Sequence, residues 1–155
     1  MNIILKKVIL FPGLLLSSLL SEQILAQTLY WEISDTSLPY IARVRADPNW
    51  GAAVLYNPDT CKEIGAACGF FIEHAGAHPH LNHILLPPEA YPLTLEDEAD
   101  CWAAKYGRPH EVYAAVQLLL NDNRNPNLNI IGVPAQRAEK IRACAEKAGN
   151  WIENQ

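Results

Sequence analysis

The chain has 155 residues, a formal net charge of −5 at pH 7 and four cysteines. This length suits one domain with a substantial core, because a domain of that size removes roughly 70% of its unfolded surface from water. A second domain is therefore not expected, and the excess of acidic side chains argues against nucleic acid as a partner.

The first 26 residues have the layout of a secretory signal peptide. Lys6 and Lys7 precede an apolar stretch over residues 8–20, and a short polar region ends near Ala26. The apolar stretch is shorter than the roughly 20 residues that a membrane span requires. We therefore expect export to the periplasm or out of the cell. The mature domain, residues 27–155, would carry a formal charge of about −6 and would not be attached to a membrane.

The four cysteines all lie in the predicted mature domain. An exported chain with an even number of cysteines is most simply a two-disulfide domain, for which three pairings are possible. We favour a local Cys61–Cys68 bridge with a long Cys101–Cys144 bridge. The alternative, a cysteine metal site, is disfavoured because the sequence has no CxxC spacing.

Strands are predicted before helices along the mature chain. Two short extended runs, residues 40–46 and 52–58, are separated by a cluster of turn-forming residues. From residue 58 onward the pattern is helical, and starts are marked by proline or by polar capping residues. This order predicts an α+β domain, with a small N-terminal β-sheet followed by a helical core.

Three of the later helices have clear limits in the sequence. They are predicted over residues 94–105, 109–120 and 134–147. Thr94 is expected to cap the first, and Gly149 is a stop signal for the last. The charged side chains of the last helix, Arg137, Glu139 and Arg142, are expected at its surface, with an arginine that reaches the functional site as the alternative.

Residues 74–83, "HAGAHPHLNH", contain four of the five histidines. If residues 68–78 are helical, His74 and His78 leave the same face one turn apart and can share one metal ion. Continuing the helix turns His80 and His83 away from that direction, so both are expected to be exposed. Pro79 is expected to kink the helix or to end it at His78.

A third ligand is predicted in "LEDEADCWAA", where Glu96 and Asp100 share a face of the next helix. Glu96 would complete a zinc site of two histidines and one carboxylate, with the fourth position open. Asp100 would accept the second ring proton of a ligand histidine. The alternative is a solvated acidic face, with the two histidines making only structural hydrogen bonds.

The segment "FFIEHAGAHPHLNH", followed 13 residues later by "EDEADCWAA", resembles the gluzincin metallopeptidases. These have HExxH on one helix and ExxxD on the next. The final helix, "GVPAQRAEKIRACAEK", is similar to the region where such proteins carry a His-Pro pair and an arginine-containing helix. The resemblance covers roughly residues 55–147. It implies a zincin-like fold, zinc as cofactor, His74, His78 and Glu96 as ligands, and Asp100 as their support.

The departures from this pattern concern the chemistry. Ala75 stands where HExxH has the general base, and loss of general-base assistance costs on the order of 10²–10⁴ in rate. Glu73 is a poor replacement, because it points about 120° from the mean ligand direction, compared with about 80° for position 75. Val133 precedes Pro134 where the resemblance implies an active-site histidine.

Three classes of function follow. The first is an exported, degenerate zinc-hydrolase homologue that acts by binding an unidentified protein or peptide, or an active zinc peptidase with a non-standard base. The second is a periplasmic metal-binding protein that takes its ligands from the histidine-rich segment, His80 and His83 included. The third is a structural or interaction domain without metal.

Overall fold

A computed structural model of the protein describes residues 30–49, 51–83, 92–121 and 133–153. The predicted signal peptide lies outside these residues. The strands are β1 (Trp31–Ser34), β2 (Ala42–Asp47) and β3 (Gly51–Tyr56). The helices are α1 (Pro58–Ile64), α2 (Ala67–His80), α3 (Leu93–Tyr106), α4 (Pro109–Leu120) and α5 (Pro134–Ala148). The predicted α+β order, a small sheet followed by helices, is confirmed.

The three strands form one sheet in the order β1-β3-β2. Strand β3 pairs in parallel with β1 and antiparallel with β2, and Val44 lies opposite Val54 across the antiparallel pair. The central strand is buried on both faces over Ala52–Leu55, which fits its run of apolar residues. The sheet packs against α2, the helix that carries the two predicted ligand histidines.

Helix α2 is the centre of the helical core and contacts α1, α3 and α4. Phe70 and Phe71 on α2 meet the apolar face of α4, formed by Val112, Ala115, Val116 and Leu119. All four of those α4 residues are buried, and their spacing along the helix places them on one face. The same core includes Ala138, Ile141 and Ala145 of α5.

Most helix ends follow the local sequence. Asn57 caps α1 by accepting hydrogen bonds from the backbone N–H groups of Asp59 and Thr60. Gly149 ends α5 in the left-handed conformation at φ 70°. The prediction that Thr94 caps α3 is wrong, because the helix begins at Leu93 and its N-cap is Pro92, which has no side-chain acceptor.

The prediction that α2 ends at His78 is also wrong, because the helix continues through Pro79 to His80. Proline removes one backbone donor, and in the last turn of a helix only a single hydrogen bond is lost. Backbone bonds then close the end of the helix, including one from the N–H of His83 to the carbonyl of His78 at 2.7 Å. Asn82 between them adopts a positive φ of 61°.

Both predicted disulfides are confirmed. Cys61–Cys68 joins α1 to the first turn of α2, and Cys101–Cys144 joins α3 to α5. Two disulfides indicate an oxidising, extracytoplasmic environment. Across the residues that the structure describes, no helix is both long and apolar enough to cross a bilayer.

Candidate metal centre

Helices α2 and α3 bring three predicted ligands to one point. His74 and His78 stand one turn apart on α2, and Glu96 lies in the first turn of α3. The Nε2 atom of His74 is 3.1 Å from Oε2 of Glu96 and 3.3 Å from Nε2 of His78. The Nε2 atom of His78 is 3.5 Å from Oε1 of Glu96. All three side chains are buried.

These separations fit a metal ion. A tetrahedral zinc ion with bonds of about 2.0–2.1 Å places neighbouring ligand atoms roughly 3.4 Å apart. In the described part of the chain, one group of histidine, cysteine or acidic side chains brings its ligand atoms within 4.8 Å of one another. It consists of His74, His78 and Glu96. The group is therefore able to hold a metal ion.

Asp100 supports the first histidine, as the sequence predicts. Its Oδ1 lies 2.8 Å from Nδ1 of His74, the ring nitrogen that faces away from Glu96. Asp100 is itself held by Arg137 of α5, whose Nε and Nη2 donate to Oδ2 and Oδ1, each at 2.7 Å. This two-pronged pairing fixes the carboxylate in one orientation, and through it the ring of His74.

Arg137 does not lie at the surface, so that expectation is wrong. Its side chain is buried against Asp100, which is only 1% exposed. A charge so far from water needs a partner, and the arginine supplies it. The sequence signal was available, since Arg137 stands four residues before the core residue Ile141 on the same face of α5. Glu139 and Arg142 are exposed, as expected.

The buried charges shift the protonation of the ligands. Burial opposes protonation of His74, but the carboxylates of Asp100 and Glu96 outweigh it and raise the pKa of His74. Burial and the neighbouring His74 lower the pKa of His78 to about 4, so this ring is neutral at pH 7. Burial alone would raise the pKa of Glu96, but the adjacent histidines lower it. A neutral His78 beside an ionised Glu96 is the state that metal binding requires, whereas the raised pKa of His74 favours its protonated ring, which must lose a proton to bind a metal ion.

The Asp100 carboxylate gives the domain a predicted acid sensitivity. Burial alone would raise its pKa, but Arg137 and His74 lower it from 3.8 to about 2. A lowered folded-state pKa means that the stabilisation is complete above pH 3.8 and is lost as the pH falls towards 2. We expect the free energy of unfolding, measured in urea, to fall across this window.

The matched variant is Asp100→Asn, which cannot titrate at this position. It should be less stable than the wild type at pH 7, and its stability should fall less steeply between pH 3.8 and pH 2. Equal slopes for the two proteins would show that Asp100 does not contribute to the acid sensitivity.

The remaining acidic candidates near α2 and α3 have other partners. Glu73 accepts a hydrogen bond from the Tyr30 hydroxyl at 3.2 Å. The Tyr30 ring lies against Gly76, where a Cβ atom would overlap it. Glu98 is exposed and contacts His83 at 3.2 Å. Ala75, at the position of the missing general base, is buried.

The two outer histidines differ from each other. His80 is half-buried and packs on the Trp102 ring with centroids 3.9 Å apart. His83 is buried, and its Nδ1 lies 3.3 Å from Nδ1 of His78, so its predicted exposure is wrong. The prediction assumed a continuing helix, whereas the turn at Asn82 folds His83 back over α2.

Val133 is exposed at the start of α5, where the resemblance implies a histidine. Comparisons with known proteins give no match to any protein-family model, any curated protein or any solved structure. The likeness to gluzincins therefore depends on the two sequence motifs alone.

Proposed function

We propose that the protein is an exported, zincin-like protein that binds zinc through His74, His78 and Glu96, and that it acts by binding and not by peptide hydrolysis. The observation that carries the proposal is the convergence of three buried ligand atoms at 3.1, 3.3 and 3.5 Å. The support of His74 by Asp100 and Arg137 adds to it, because ligand histidines in metal sites are held from behind in this way.

Bound zinc would supply a Lewis acid with one coordination position left for an outside donor. Within the part of the chain that the structure describes, the residues next to the ligand histidines do not supply a general base. Ala75 cannot accept a proton, and Glu73 is paired with Tyr30. Asp100 is committed to Arg137. We infer that the fourth position serves to bind an oxygen or nitrogen donor of a protein or peptide partner.

The proposed location is the periplasm or the outside of the cell. The two disulfides need an oxidising compartment, and the N-terminal sequence has the pattern of an export signal. A metal-sequestering role for the outer histidines has less support, because His83 faces the far side of the His78 ring and His80 packs on Trp102.

Zinc content is the direct test. Mature protein purified without a histidine tag or added metal, then equilibrated with buffered zinc, should hold one zinc per chain by elemental analysis. His74→Ala and Glu96→Ala should abolish binding. His80→Ala and Asp97→Ala are matched controls, since His80 lies on Trp102 and Asp97 pairs with Lys140 at the surface. Both should bind zinc as the wild type does.

Stability provides a second readout of the same site. Free zinc at 100 times its dissociation constant should raise the free energy of unfolding by about 2.7 kcal/mol in the wild type and by nothing in Glu96→Ala. Failure of the wild type to take up zinc would overturn the metal proposal and would leave a hydrogen-bonded histidine cluster. Peptide hydrolysis that the zinc-loaded wild type performs and Glu96→Ala does not would overturn the binding-only role.

A further inference from the structure

Behind the second ligand histidine lies another imidazole that the ligand set does not use. His78 turns its Nε2 towards His74 and Glu96, and its Nδ1 faces Nδ1 of His83 at 3.3 Å. The other nitrogen of His83, Nε2, is 3.2 Å from Oε2 of Glu98. Both rings are buried, with His78 4% and His83 6% exposed. The three side chains form a row that runs from the ligand group to the surface.

We propose that His83 is a positioning residue, which holds the His78 ring and selects the tautomer that leaves Nε2 free for a metal ion. This inference rests on the proposed zinc site. A neutral imidazole carries one proton, and a ring that binds metal through Nε2 must carry it on Nδ1. The Nδ1–H of His78 then donates to the lone pair of His83 Nδ1. The single proton of His83 therefore sits on Nε2, where it donates to Glu98.

This assignment gives every ring nitrogen in the row one role, and it matches the arrangement around the first ligand. His74 presents Nε2 to the ligand group, and its Nδ1 lies 2.8 Å from Oδ1 of Asp100. His78 presents Nε2 and is held at Nδ1 by His83. Each ligand ring is thus fixed from behind by a different element, Asp100 from α3 and His83 from the turn after α2.

The backbone builds this second support into the end of α2. The N–H of His83 donates to the carbonyl of His78 at 2.7 Å, so the two residues are joined by main chain as well as by their rings. The turn needs a residue with positive φ, and Asn82 provides it at 61°. Asparagine tolerates this left-handed conformation better than other residues with a Cβ atom.

The test is zinc affinity, measured by competition with a chelator on the full mature protein. His83→Ala should weaken zinc binding by about 10- to 100-fold, the usual cost of losing such a support. His83→Asn should recover part of this loss, because its side-chain oxygen can accept the Nδ1–H of His78. His80→Ala, an imidazole removed from the same segment but packed on Trp102, should bind zinc as the wild type does.

A spectroscopic readout on the wild type makes the test independent of whether the variants fold. Long-range ¹H–¹⁵N correlations of the zinc-loaded, histidine-labelled protein should show the proton of His78 on Nδ1 and that of His83 on Nε2. A proton on Nδ1 of His83 would overturn the inference, as would wild-type affinity in His83→Ala while Glu96→Ala still fails to bind. If the wild type binds no zinc, both this inference and the proposed function fail.

Discussion

Replacing Arg137 with methionine is expected to lower the free energy of unfolding by about 3–5 kcal/mol, the cost of leaving a buried charge without its partner. Asp100 is 1% exposed, and both of its carboxylate oxygens accept hydrogen bonds from Arg137 at 2.7 Å. Methionine fills most of the space but offers neither charge nor donor. The Asp100 carboxyl must then either remain ionised without compensation or take up a proton, and both cost stability at pH 7.

Urea unfolding at pH 7 measures this loss, and Arg142→Met is the matched control on the same helix. The Arg142 side chain is half exposed and pairs with Glu146 and Glu153 at the surface, so its loss should cost under about 1 kcal/mol. The double variant Arg137→Met with Asp100→Asn removes both charges and should be less destabilised than the sum of the single changes. A loss below 1 kcal/mol for Arg137→Met would show that the buried pair does not stabilise the fold.

Local periodicity accounts for most of the fold that the sequence predicted. The buried face of α4 and the proline residues that begin α4 and α5 depend only on residues close together in the chain. They can therefore be predicted from one sequence. Strand β1 was not predicted. It is only four residues long, its side chains are mostly exposed, and it exists through its parallel pairing with β3 about 20 residues away. Such a long-range contact leaves no local pattern.

In the candidate site, too, local spacing predicts some contacts and not others. His74 with His78, and Glu96 with Asp100, are pairs four residues apart, and helical geometry alone places the members of each pair on one face. Arg137 reaches Asp100 from a helix 37 residues further along, which no spacing rule specifies. The predicted exposure of His83 is wrong because it assumes that α2 continues beyond His80, where the helix ends. Asn82 was the available signal, since asparagine favours the left-handed turn that ends a helix.

Removing the Cys101–Cys144 bridge should cost more stability than removing Cys61–Cys68. The first closes a loop of 43 residues and the second a loop of 7. If a disulfide acts mainly by restricting the unfolded chain, these lengths correspond to about 4 and about 2 kcal/mol. Paired serine substitutions, followed by urea unfolding at pH 7, measure both losses. Equal losses would mean that loop length does not set the contribution of these bridges.

The serine variants also show whether a disulfide that stabilises the fold is needed for the geometry of the metal site. Cys101 follows Asp100 directly on α3, and Cys144 lies on α5 with Arg137, so this bridge joins the two helices that the buried ion pair also joins. Lys140 and Asp97 add a third link between them, at 2.6 Å. Neither polar link involves a cysteine side chain. We therefore expect the folded serine variant to bind zinc within a few-fold of the wild type, because the cross-link acts mainly on the unfolded chain. A large loss of zinc affinity in protein that is still folded would show instead that the bridge itself sets the distance between α3 and α5.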